Sequence, residues 1–314
     1  MLLADDEKPD QQKDDADKKT VSRKRGNRLG FWFFKMFIRV SGLYGAYGLL
    51  YFVSLYYLVF DKDAVSSARS YIEKRFPESG YFKKYFHIYK LFVSQGRQLI
   101  DRFSVVCSKK GAFDIRVNGY DGLANVLNNS DRGAILLTSH LGNWQIALTA
   151  LNKLGKKVFL LMRKEDNEAV RDFLNVGYEE GDINIISPEQ AFGGVIEIMN
   201  ALGKGHIVSI MGDRRYGAKA SKVKFLGDYA YFPFSAFAIA ASAQCPIVLL
   251  LSAKVSAYEY VVDVTNILYP ECSGRKKDIE LIPWIQKYAS ILEDFVNMNP
   301  YQCFLFHDIW KDDK

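Results

Sequence analysis

From residue 133 onward, short apolar runs alternate with longer mixed stretches. Residues 134–137, 157–162, 183–186, 207–211 and 247–251 read as strands with no solvent face. Helices are expected from about Asn143, from about Asp166 and over about residues 234–243. Ser187-Pro188-Glu189-Gln190 adds a capping box with proline at the first helical position. Apolar strands separated by helices predict an α/β fold. Its sheet should be largely parallel and flanked by helices, with functional groups at the carboxyl ends of the strands.

The N-terminal third is patterned differently. Residues 5–19 are polar and read as a disordered tail. Arg23, Lys24, Arg25 and Arg28 follow, then Phe31-Trp32-Phe33-Phe34, then a stretch without charge over residues 40–60. A helix of that length is able to cross a hydrocarbon core of ~30 Å. Tyr44, Tyr47, Tyr51, Tyr56 and Tyr57 suit the headgroup level. Gly42, Gly45 and Gly48 fall near helical spacing and would let another helix approach. Together these predict an N-terminal helical membrane anchor, spanning or interfacial; the alternative is a buried helix of a soluble core. The apolar stretch starts late and has no A-x-A site, so it is not a cleavable signal peptide. Lys and Arg flank it on both sides, which leaves its orientation open. Residues 63–110 read as helical, broken at Pro77 and Gly80. Lys83, Lys84, Lys90, Arg97 and Arg102 make the second helix basic, facing solvent, acidic headgroups or an acidic carrier. The expected divisions are a tail (1–28), a membrane-associated segment (29–62) and a larger domain (63–314). That domain comprises a helical entry (63–110) and an α/β core (111–314).

Composition narrows the classes. The chain has 314 residues, is 49% hydrophobic and 25% charged, and shows no internal repeat, so wholesale disorder and solenoids are excluded. A formal net charge of +6 with no nucleic-acid motif suits an anionic surface better than a nucleic acid. Cys107, Cys245, Cys272 and Cys303 form no C-x-x-C pair, so neither a disulfide framework nor a metal site is expected.

Two strand ends carry chemistry. Ser139-His140-Leu141-Gly142-Asn143-Trp144-Gln145 places an imidazole directly after a buried strand and before a helix N-terminus. Neutral histidine is a natural general base for a hydroxyl, and nearby backbone N–H groups could hold an oxyanion or phosphate. Gly212-Asp213-Arg214-Arg215 places a carboxylate and two guanidiniums at a second strand end, and Arg163 stands at a third. Arginine pairs well with phosphate or carboxylate. His307 lies in an aromatic tail, where packing is expected and proximity to the site is the alternative.

The block at 139–144 resembles the histidine block of the glycerolipid acyltransferases, in the form seen in the bacterial lipid A late acyltransferases. Met162-Arg163 and Gly212-Asp213-Arg214 resemble that family's second and third blocks. Val223-Lys224-Phe225-Leu226-Gly227 with Phe232-Pro233, and Asn299-Pro300-Tyr301-Gln302 through Asp308-Ile309-Trp310, resemble its later ones. The resemblance spans roughly residues 28–311. It implies O-acyl transfer from acyl carrier protein or coenzyme A to a membrane lipid or glycolipid, at the cytoplasmic side of a bacterial inner membrane. It further implies His140 as base, with no metal, no resident cofactor and no acyl-enzyme. Asn143, Arg163, Asp213, Arg214 and Arg215 would then bind substrate, the arginines converging on a lipid phosphate or the donor's phosphopantetheine. One residue departs from the pattern. The acidic partner expected five positions after the histidine is Gln145, whose carbonyl accepts an Nδ1–H but does not offset imidazolium charge. Three readings stay open: a slowed enzyme, one using another carboxylate such as Asp213, or a non-catalytic lipid-binding or scaffolding relative.

Overall fold

A computed structural model describes residues 28–108, 113–151, 154–163, 183–215, 219–274 and 277–312. Three helices come first: α1 (Arg28–Phe60), α2 (Lys62–Arg75) and α3 (Tyr81–Ser108). The α2–α3 break falls at Pro77 and Gly80, where the sequence puts it. Asp61 caps α2 by accepting Ala64 N–H at 2.9 Å. α1 is kinked at Gly42, whose φ of 65° is open to glycine at little cost.

The rest of the chain runs β1 (Asp114–Asn118), α4 (Tyr120–Asn128), β2 (Ala134–Thr138), α5 (Trp144–Thr149), β3 (Val158–Leu161) and β4 (Ile183–Ile186). Then come α6 (Val195–Gly203), β5 (Ile207–Met211), β6 (Ala220–Phe225), β7 (Asp228–Pro233) and α7 (Ser235–Ala243). β8 (Ile247–Leu249), β9 (Leu251–Lys254), β10 (Glu259–Asp263), β11 (Ile267–Leu268), α8 (Lys277–Glu280) and α9 (Ile282–Met298) complete it.

The fold is mixed α/β. Its six-stranded sheet has the order β11-β8-β2-β5-β3-β4. The four pairings from β8 to β4 are parallel, and β11 closes one edge antiparallel. A second sheet, β1-β10-β9, has one parallel and one antiparallel pairing, and β6–β7 is an antiparallel hairpin. The sheets taken together are therefore mixed and not clearly largely parallel: the parallel pairings are the four of the largest sheet and the one between β1 and β10. The apolar run at 247–251 is not one strand: the chain leaves the central sheet at Leu250 and enters the second sheet as β9. The hairpin turns at Leu226 and Gly227, both at positive φ (50° and 76°).

The capping box at Ser187 does not open a helix. Ser187 Oγ accepts Glu189 N–H at 3.2 Å, but Phe192, Gly193 and Gly194 take positive φ, so α6 starts only at Val195. The helix expected from Asp166 lies outside the described residues.

The entry helices and the sheets share their cores. Tyr71, Ile72, Ile88 and Leu91 pack with β2 and α9, while Leu43, Ala46 and Leu50 of α1 join Val93, Ile100 and the other face of the sheet. The glycine that lets α1 approach α3 is Gly96, where a Cβ would lie 2.3 Å from Leu50 Cδ1. Gly42 and Gly48 face open space, so the glycines expected to seat a partner helix do not do so.

Candidate active site

β2 and β5 are parallel neighbours, with Thr138 opposite Met211. Each strand is followed within two residues by a polar side chain, so His140 and Asp213 reach the same rim of the sheet. Gly212 makes the approach possible: a Cβ there would sit 2.7 Å from Tyr288 Oη and 2.8 Å from Leu137 Cδ1. Asp213 is fully buried. Its Oδ2 accepts the His140 backbone N–H at 2.5 Å, and its Oδ1 lies 2.9 Å from the ring Nδ1. Burial raises the Asp213 carboxyl, but the facing imidazole and these hydrogen bonds outweigh it and hold the acid below its usual range. An ionised Asp213 keeps the proton on Nδ1 and the lone pair on Nε2. The His140 side chain is 28% exposed, and among the described residues no group bonds Nε2. The pair is thus closed on the carboxylate side and open on the other.

The loop that carries His140 is fastened from behind by the C-terminal segment. Phe304 N–H donates to His140 O at 2.8 Å, Gly142 N–H donates to Gln302 O at 2.7 Å, and Leu141 bridges Cys303. The Gln302 side chain accepts Lys254 N–H at 2.8 Å and returns a hydrogen bond to Lys254 O at 2.9 Å. Gly142 has φ 60°, and a Cβ there would fall 1.4 Å from Ser252 O, so no larger residue fits. His307 belongs to this setting, which is the alternative to packing that the sequence left open. Its Nε2 lies 3.2 Å from Asp213 O and its ring centroid 6.4 Å from that of His140. Burial lowers its pKa, against the pull of Asp213. Its place in the C-terminal block was the only sequence signal for it.

Gln145 has another partner. It is buried and its Oε1 accepts from the Arg102 guanidinium, while Asp213 takes the ring nitrogen it was expected to hold. α5 turns position 145 toward α3, away from the rim. Burial pushes Arg102 down to about 10, with Tyr260 and Asp101 opposing.

Asn143 is also turned inward. It caps α5 through Ile146 N–H at 3.5 Å and donates to Gln98 O at 3.2 Å, so its side chain serves the loop, not an open rim. Three of the backbone donors near the imidazole are engaged: His140 N–H by Asp213, Gly142 N–H by Gln302 and Ile146 N–H by Asn143.

Arg163 and Arg214 follow β3 and β5, are exposed, and share the rim with His140. Arg215 points to the tail instead. It donates to Lys311 O at 2.6 Å, lies 3.5 Å from Asp312 and covers the Tyr231 ring at 4.9 Å. Both Asp213 oxygens bond His140, so the carboxylate orients the imidazole, the alternative to the substrate-binding place that the resemblance implies.

A second buried carboxylate lies behind the loop. Asp101 of α3 accepts from Lys254 Nζ at 2.7 Å and from the hydroxyls of Tyr47 and Tyr260, tying α1, α3, β9 and β10 together. Lys254 Nζ also donates to Ala257 O at 2.9 Å.

The family model for bacterial lipid A biosynthesis acyltransferases matches residues 26–312 of this chain. Comparison with curated proteins returns no match.

Proposed function

The chain belongs to the bacterial lipid A biosynthesis acyltransferase family, and from that premise we propose that it moves a fatty acyl group from acyl carrier protein or coenzyme A to a hydroxyl of a membrane lipid or glycolipid. His140 Nε2 takes the hydroxyl proton as the alcohol oxygen attacks the thioester carbonyl. The tetrahedral intermediate then collapses, the C–S bond breaks, and the imidazolium returns the proton to the leaving thiolate. Asp213 holds the Nδ1–H and offsets the ring's charge while it carries both protons. Exposed Arg163 and Arg214 hold an anionic group of donor or acceptor at the same rim. The work is done at the cytoplasmic side of an inner membrane.

The observation that carries this reading is the 2.9 Å Nδ1–Oδ1 contact between a fully buried Asp213 and a ring open at Nε2. It also weighs against a non-catalytic scaffold, because the motive for that alternative was the uncharged Gln145. The experiment is mass spectrometry of membrane lipids from cells with and without the chain, and with His140→Ala. An acylated lipid present only with the parent protein is expected. The same lipid profile in all three would sink the catalytic assignment.

A further inference from the structure

α1 contains a 25-residue stretch, Met36–Phe60, long and apolar enough to cross a bilayer. Its packing points elsewhere. From Leu43 onward one face is built into the molecule: Leu43, Ala46, Tyr47, Leu50 and Ser54 are buried, and Tyr57 and Leu58 pack on the core. The face it meets on α3 is partly charged. Tyr47 bonds Asp101, Arg97 donates to Tyr51 Oη at 2.5 Å, and Leu50 sits on Gly96. Carrying this half of α1 through hydrocarbon would take Arg97 and Asp101 with it or strip them of their partners, and buried charge without its partner is costly. Ahead of Leu43, α1 has residues 28–42. At ~1.5 Å per residue they reach about 22 Å, short of a ~30 Å core, and they carry Arg28, Lys35 and Arg39.

The opposite face of α1 is exposed and apolar, with Val40, Tyr44, Phe52, Leu55, Tyr56, Val59 and Phe60 uncovered. The contacts of Leu50 with Gly96 and of Tyr47 with Asp101 make α1 and α3 antiparallel, so the end of α1 lies beside the start of α3. That start is exposed too: Phe82 is 88% and Phe86 51% exposed, next to exposed Lys83 and Lys90. Lys90 Nζ stands 4.6 Å from the Phe86 ring. Bulky apolar side chains edged by tyrosine and lysine match the boundary of an anionic leaflet, where rings enter and ammoniums stay with headgroups.

We propose that α1 and the first turns of α3 form one ridge lying in the plane of the membrane, on a single leaflet of anionic lipid, so that the chain does not cross and its N-terminus stays on the side of the catalytic domain. This deepens the reading of the chain as a membrane-associated acyltransferase. The test is protease protection of full-length protein tagged at both ends, in right-side-out spheroplasts and in inverted vesicles. Both tags should be protected in the first and cut in the second. An N-terminal tag cut in spheroplasts while the domain is protected would overturn the in-plane ridge and leave the membrane reading standing. Recovery of all the protein in the soluble fraction would overturn both. Independently, Phe82→Glu with Phe86→Glu should lower sedimentation with phosphatidylglycerol–phosphatidylethanolamine vesicles about tenfold or more, with unchanged near-UV circular dichroism. Unchanged vesicle binding in that variant would mean α1 inserts alone, contrary to the proposal.

Discussion

Asp213 and Asp101 are both fully buried carboxylates facing a nitrogen base, and they are built for opposite ends. Among the described residues the Asp213 carboxylate bonds only His140, whose far nitrogen is open. Asp101 has three partners, Lys254, Tyr47 and Tyr260, and Lys254 is itself bonded to Ala257. The imidazole pulls Asp213 below its usual range in spite of burial. Burial wins at Asp101 and raises it, with the ammonium and hydroxyls opposing. One pair leaves a proton somewhere to go; the other fixes four elements in place.

Breaking the open pair should have the largest effect. His140→Ala is expected to cost ~10²–10⁴-fold in turnover with the fold retained, the usual worth of a general base. Asp213→Asn should approach the same loss, because an amide neither offsets the imidazolium nor guarantees the tautomer. Steady-state kinetics beside circular dichroism checks both, and a fully active Asp213→Asn would detach the carboxylate from catalysis.

Breaking the closed pair should be felt in stability instead. Asp101→Ala leaves Lys254 buried without its counter-charge, a loss of roughly 3–5 kcal/mol in comparable sites. Denaturant unfolding should show it, while the folded fraction keeps a pH–rate profile like the parent's.

A smaller difference lies in the pH dependence. Asp213 is depressed, so its stabilisation is present above about pH 4 and is lost as pH falls through its lower folded value. Asp101 is raised, so the folded state binds its proton more readily and stability falls as pH rises through that window. The stability difference between the parent and each Asp→Asn variant, followed across the acid range, should therefore slope upward with pH for Asp213 and downward for Asp101. Slopes of the same sign would erase the contrast.

The smallest effect should come from Gln145→Glu. A carboxylate there meets Arg102, so the His140 titration by NMR should match the parent and turnover should change little. A raised histidine pKa would mean that position 145 reaches the ring after all.

The strands that carry His140 and Asp213 were legible because each is an apolar run ending in a polar residue, and period and chemistry agree there. Their pairing was legible only as one of three open readings. It depends on β2 and β5 being neighbours in the sheet, and strand order is not a local property. Gln145 was a candidate because it stands at the acidic-partner position that the resemblance implies, and only the turn of α5 toward α3 removes it. The break at Pro77 and Gly80 was readable from residue type alone. The capping box at Ser187 read as a helix start but is cancelled by positive φ at Phe192, Gly193 and Gly194, which a four-residue signature cannot register. The switch of sheet at Leu250 has no local signature either, since the run from 247 to 251 is uniformly apolar. His307 reached the site by long-range closure of the tail.

That closure has a consequence for the order of events in synthesis. The His140 loop is held by Gln302 and Phe304, which the ribosome adds roughly 160 residues later. At about 5–20 residues per second, some ten to thirty seconds separate the making of the base from the making of its clasp. α1 is made before either. The nascent chain therefore holds the proposed membrane ridge well before it has a finished site, and the His140 loop is fastened only when Gln302 and Phe304 have been added.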